Sequence, residues 1–201
     1  MSSNMEKVIE FWFGEIKDQL SADEKQQLWY QSTPEQDKQI RQQFEHLYEQ
    51  ACQGALDAWQ RTAKGCMALI ILLDQMPRNM YRGTKQAFMS DHVALKVCLH
   101  GLEQGFDRQL HLVERCFFYH PLEHSEELKY QELCVVEFER LHQVYQGDAQ
   151  QMFIRNGLDF AIKHRDIIAE FGRFPHRNKV LERDSSAAEL EYLKHGPSFG
   201  Q

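Results

Sequence analysis

Histidines, carboxylates and arginines gather in three stretches of this sequence, and each stretch suggests a chemistry. His120-Pro-Leu-Glu-His124 spells H-x-x-E-H. On a helix that spacing sets two imidazoles four residues apart on one face with a glutamate beside them, which is the inverted form of a zinc-peptidase motif. Pro121 argues against helix at His120 and predicts a turn there. No third carboxylate ligand is evident on a later helix. The sequence therefore predicts no bound metal and calls for no cofactor.

Arginine dominates the other two stretches and the flanks of the first. Asp74-Gln-Met-Pro-Arg78-Asn-Met-Tyr-Arg82-Gly83, Arg115 through Glu126, and His164 through Asn178 together hold Arg78, Arg82, Arg115, Arg173 and Arg177, with Arg165 besides. A guanidinium is a rigid fork of donors matched to carboxylate and phosphate oxygens. The candidate ligand-binding set is Asp74, Arg78, Arg82, Arg115, His124, Glu126, His164, Arg173, His176, Arg177 and Asn178, lining a pocket for a small anion or an acidic peptide. Asp74, Glu123 and Glu126 are fewer than the cations they would balance, so the pocket is expected to carry surplus positive charge. The same arginines would equally serve as helix C-caps and ion-pair partners of Asp74, Asp91, Glu123 and Glu126. A rival is metal-independent hydrolysis or group transfer, with His124 or His164 and Glu126 as acid and base and Arg173 or Arg177 as the oxyanion clamp. A third reading is a structural or interaction scaffold. No G-x-S-x-G, phosphate loop or dinucleotide fingerprint assigns a catalytic residue.

These segments must be held by helices. Val8, Ile9, Trp12 and Phe13 make one stripe, opened by a Ser3/Glu6 capping box and ended at Gly14. Thr33-Pro34-Glu35-Gln36 is a stronger start, leading to Ile40, Phe44, Leu47, Tyr48 and Ala51. Ala63–Leu73 is apolar on nearly all sides and predicts a central helix stopped by Pro77. Helices are also expected from Gly83 to Gly105, Leu110 to Phe118, Glu126 to Tyr145, Asp148 to Gly172, and from the Ser186/Glu189 box onward. That is about eight helices in an all-α, antiparallel stack forming one domain over residues 1–201. The three tryptophans fall in apolar patterns and are predicted core.

Composition narrows the partners. The 201 residues carry a formal net charge of −7, which leaves no general basic face for nucleic acid or an anionic membrane. The longest apolar run, Cys66–Leu73, is far short of the roughly 20 residues of a bilayer span. Five scattered cysteines without a CxxC pair predict buried free thiols in a reducing, cytoplasmic setting. The oligomeric state is not encoded.

Leu73–Gly83, Pro121–Glu126 and Phe171–Asn178 resemble three signature segments of a bacterial family, domain-of-unknown-function family 924. Val8-Ile-Glu-Phe-Trp-Phe-Gly14 is similar to that family's opening, so the resemblance covers nearly the whole chain. It implies an all-α fold similar to the tetratricopeptide-repeat superfamily, a right-handed array of antiparallel helix pairs. It implies no activity. Two positions depart from the family's pattern. His120 stands where an apolar residue is usual, and Leu181-Glu-Arg183 stands for a Leu-Gly-Arg, which sets Arg183 aside as a site residue.

Overall fold

A computed structural model describes residues 3–196, and its helices begin where the capping residues stand. Ser3 and Glu6 exchange side-chain and backbone hydrogen bonds to start α1 (Asn4–Phe13). Thr33 and Gln36 do the same for α3 (Pro34–Cys52). Ser186 and Glu189 open α10 (Ala187–Tyr192). Between α1 and α3 lie a two-residue hairpin, β1 (Ile16–Lys17) with β2 (Leu20–Ser21), and α2 (Asp23–Tyr30). This hairpin is the sole sheet among the described residues. Its turn residue Gln19 accepts the Leu112 and Val113 N–H groups at 3.1 Å, so a distant loop caps the next helix in that layer.

The central helix differs most from expectation. The sequence predicts that Pro77 ends it, yet α4 (Ala63–Ile70) runs through a π turn at Ile71–Gln75 into α5 (Met76–Met80). Pro77 has no N–H to offer the Leu73 carbonyl and would crowd it in a regular helix. The wide turn relieves that crowding. The Leu73 carbonyl instead accepts from Ser90 Oγ at 2.6 Å, and the Asp74 carbonyl accepts from the Arg78 guanidinium. Ala68–Leu73 is essentially sealed from solvent and centres the core.

The expected Gly83–Gly105 helix is a 3-10 turn at Lys85–Phe88 followed by α6 (Asp91–Glu103). The next segment is α7 (Leu112–Glu123), which contains Pro121 rather than ending before it. Thiols sit on its proline-weakened ladder: Cys98 donates to the Phe118 carbonyl at 3.1 Å and Cys134 to that of Tyr119 at 3.7 Å. Long α8 (Leu128–Val144) and α9 (Asp148–Phe171) fold back on each other. A Cβ at Gly157 would lie 2.4 Å from the Phe138 ring, so only glycine permits that approach. Gly147 takes the N-cap position expected of Asp148, and Gly172 ends α9 in the left-handed conformation. All five cysteines are free, and Cys52 is exposed where a buried thiol was expected. No helix among the described residues is long and apolar enough to cross a membrane.

Candidate functional site

A cleft of about 630 Å³ opens between α2, α5, α7 and α9. Trp29 and Tyr30 form one wall, and Phe153 and Phe160 face it from α9. His120, Glu123, His124 and His164 make the floor, with Arg78 beside them and Arg82 and Lys163 also lining the cavity. The π turn and the proline-containing α7 both contribute to this floor, because each sets a polar side chain against the core.

Asp74, fully buried, receives the His124 Nδ1 proton at 2.8 and 3.0 Å. An ionised carboxylate only accepts, so Nδ1 carries the hydrogen and Nε2 the lone pair. Burial pushes the His124 pKa far down, helped by the Arg78 and Arg177 charges. His120, whose Nδ1 lies 3.0 Å from Gln75 Nε2, is lowered to about 3 by burial and then by His124. His164 hydrogen-bonds the Phe160 carbonyl through Nδ1 at 2.8 Å; burial lowers it to about 4. Glu123 is the mirror case. Its carboxylate lies 3.4 Å from His164 Nδ1, and burial together with Asp74 raises it to about 8. At neutral pH the proton of that pair therefore rests on Glu123, and the floor is a neutral acid among neutral imidazoles.

Arg78 and Arg177 lie behind the floor, and both are paired. Arg78 bonds both Asp91 oxygens at 2.9 and 3.0 Å and lies 3.5 Å from Asp74. Arg177 reaches Asp91 at 3.5 Å, donates to the His124 carbonyl at 3.1 Å, and is stacked between the Phe88 and Phe174 rings at 4.7 and 4.3 Å. His176 is buried against Phe174 on the same side and lowered to about 3, first by burial and then by Arg177. Asp74 and Asp91 balance the two guanidiniums, so the expected positive surplus is absent from this cluster.

The remaining candidates are held by partners of their own. Arg115 joins Tyr119 and Asp107 in a separate buried group at 3.3 and 3.4 Å. Arg82 is bound to Asp37 and Ser32. Glu126 is held by Arg183 at 2.6 and 2.9 Å and by the Phe174 N–H at 2.9 Å, which removes it as an acid or base partner of His124. Arg173 binds Glu189 at 2.6 and 2.8 Å, and Asn178 donates to Glu189 and Ser185. Arg183, set aside from sequence, is thus a central tie of this C-terminal segment.

Four residues of the site escaped the sequence reading. The sequence offers His120 only within a supposed turn, and Glu123 and Asp91 only as counter-ions of the arginines. Trp29 was taken as plain core. The helical H-x-x-E-H spacing was the usable signal for the first two, and Pro121 hid it.

The sequence matches, over residues 8–197, the model of a family described as bacterial protein of unknown function (DUF924). A solved structure of a protein of unknown function, ATU0120 from Agrobacterium tumefaciens, superposes with a TM-score of 0.80. The two are 30% identical, covering 96% of this chain and 97% of that one. No curated protein matches the sequence.

Proposed function

The chain belongs to the DUF924 family of bacterial proteins of unknown function, and we propose that it is a binding protein whose ligand occupies the cleft over His124. The ligand class is a small molecule with an acidic head and an apolar body. One observation carries this reading: aromatic side chains of α2 and α9 line a cavity large enough for a metabolite-sized guest, and buried Glu123 and His164 lie at its base. Neutral Glu123 supplies a donor to an acidic head, and Trp29, Tyr30, Phe153 and Phe160 supply apolar surface. An acidic peptide is less well supported, because Arg82, at the cleft, is already bound to Asp37.

A second reading, acid–base catalysis, is favoured by the Asp74–His124 pair. A carboxylate that fixes the tautomer and orientation of an imidazole facing a cavity is the geometry of a general base. In that reading Glu123, not Glu126, is the carboxyl partner.

Thermal melts with phenylacetate, and separately with inorganic phosphate, test the binding reading. A ligand at ten times its Kd stabilises by about 1.4 kcal/mol, which for a chain of this size raises Tm by roughly 2–4 °C. We expect that rise with phenylacetate and its loss in His124→Ala. No rise with either compound at about 10 mM removes ligands of even millimolar affinity, and with them this reading.

A further inference from the structure

We propose that Glu123, His124 and His164 bind one divalent transition-metal ion of the zinc class at the floor of the cleft. Their coordinating atoms all lie within 4.8 Å of one another, and Glu123 and His164 are buried. Donors at about 2.0–2.2 Å from a tetrahedral zinc stand roughly 3.4 Å apart. A contraction of at most about 1.4 Å, from 4.8 Å to that spacing, completes the set.

Three features point to a cation rather than a fortuitous cluster. His124 gives its Nδ1 proton to Asp74, which leaves Nε2 to coordinate; a carboxylate behind a ligating imidazole is the usual outer-shell partner of a zinc histidine. His164 places its Nδ1 3.4 Å from the Glu123 carboxylate, with the Phe160 carbonyl at 2.8 Å behind the ring. Glu123 is a buried carboxylate with no arginine or lysine nitrogen within 4.0 Å among the described residues, and only an imidazole beside it. Two nitrogens and one oxygen suit zinc, cobalt or nickel, whereas magnesium and calcium prefer oxygen throughout.

The helix context also explains why H-x-x-E-H was misleading. His120 and His124 do share the last turn of α7, their rings 5.6 Å apart, but His120 pairs with Gln75. The third ligand comes from α9, forty residues on. Three protein ligands leave a fourth position for an exogenous group. The ion and Glu123 together add one positive charge to a surrounding in which Arg78 and Arg177 already balance Asp74 and Asp91. An anionic head group answers that charge; this last step alone rests on the cleft reading above.

The test uses the full chain, stripped with chelator and titrated with cobalt(II). We expect one equivalent bound, with the visible absorption of four- or five-coordinate cobalt, displaced by zinc. His164→Ala and Glu123→Gln should each abolish the absorption. Asp74→Asn should weaken binding about 10- to 100-fold, as loss of an outer-shell partner does. His46→Ala, at an exposed position of α3, should leave it unchanged. Melts of each variant confirm folding, and Glu123→Gln, which keeps size and hydrogen bonding, is decisive if His164→Ala unfolds. No cobalt absorption, or absorption that survives Glu123→Gln, overturns the site. Cobalt uptake without any phenylacetate response leaves the metal site standing and removes the cleft reading. Phenylacetate binding to a protein that takes no cobalt does the reverse.

Discussion

The C-terminal clasp and the cleft floor are built from the same residue types, Arg, His, Glu and Asp, and stand side by side across Phe174. In the clasp every charge meets its opposite directly. The Arg173 guanidinium and the Ser186 N–H hold Glu189 far below the ordinary carboxylate range. Burial pushes Glu126 up, but Arg183 and the Phe174 N–H outweigh it and its pKa falls. On the floor the direction reverses: Glu123 rises to about 8 while His120 and His164 sink to about 3 and 4. Charge in the clasp is kept and compensated; on the floor it is expelled. A fold needs only the first arrangement. Groups driven to neutrality inside a cavity weaken the protein unless something external meets them, which is why the floor and not the clasp reads as functional.

Acid should separate the two regions most sharply. His120, His164 and His176 have folded pKa values depressed to between about 3 and 4, so their stabilisation is present above about 6.5 and is lost as pH falls through that interval. Each contributes at most about 1.4 kcal/mol per pH unit. Glu123 is raised, so its share is present below about 4.5 and lost as pH climbs to about 8. Metal-free protein should therefore be most stable near pH 6.5, and urea titrations from pH 4 to 9 measure this. The clasp carboxylates, depressed below 4.5, begin to give way only under that value. A stability plateau extending from pH 6.5 down to 4.5 would erase the proposed contrast.

Arg177→Ala comes next. The side chain is buried, paired with Asp91 and stacked on two rings, so its loss should cost about 3–5 kcal/mol by equilibrium denaturation. A cost below about 1 kcal/mol would mean that Arg177 belongs to the ligand rather than to the frame. Arg183→Ala should cost about 1–3 kcal/mol by stranding Glu126, with the phenylacetate response intact. The smallest effect belongs to Glu123→Gln, expected within about 1 kcal/mol of the parent at pH 7 because the native group is already uncharged. If that variant proves as costly as Arg183→Ala, floor and clasp are alike after all.

Helices and their starts were legible because caps are local: the Ser3, Thr33 and Ser186 boxes form as their spacing predicts. Prolines misled twice. Pro77 and Pro121 each lie inside a helix that is supported by partners far away in sequence: Ser90 takes the carbonyl that Pro77 leaves without a donor, and the thiols of Cys98 and Cys134 add donors to the Phe118 and Tyr119 carbonyls beside Pro121. Nothing local encodes such rescue. The site was half visible for a related reason. Arg78, His124, His164, His176 and Arg177 meet around the floor and its backing, but which carboxylate a given arginine meets follows no fixed spacing: Asp107 is 8 residues from Arg115, whereas Asp91 is 86 from Arg177. Arg115 and Arg173 show the same composition leading elsewhere.

The π turn at Ile71–Gln75 sets the phase of everything after it. An α-helix advances about 100° per residue, so the one additional residue in this turn rotates the following segment by that amount relative to the apolar cylinder before it. One rod thereby presents two unrelated faces: Cys66–Leu73 is committed to the core on every side, whereas Gln75 and Arg78 line the cleft and Asp74 backs His124. Deleting any one of Ile71, Leu72 or Leu73 would return the rod to a single phase. The backbone would gain an uninterrupted ladder and lose the Asp74–His124 bond in the same stroke. The irregularity in this helix is thus a gearing step, by which a segment packed on every side hands on a rotated orientation to Asp74, Gln75 and Arg78.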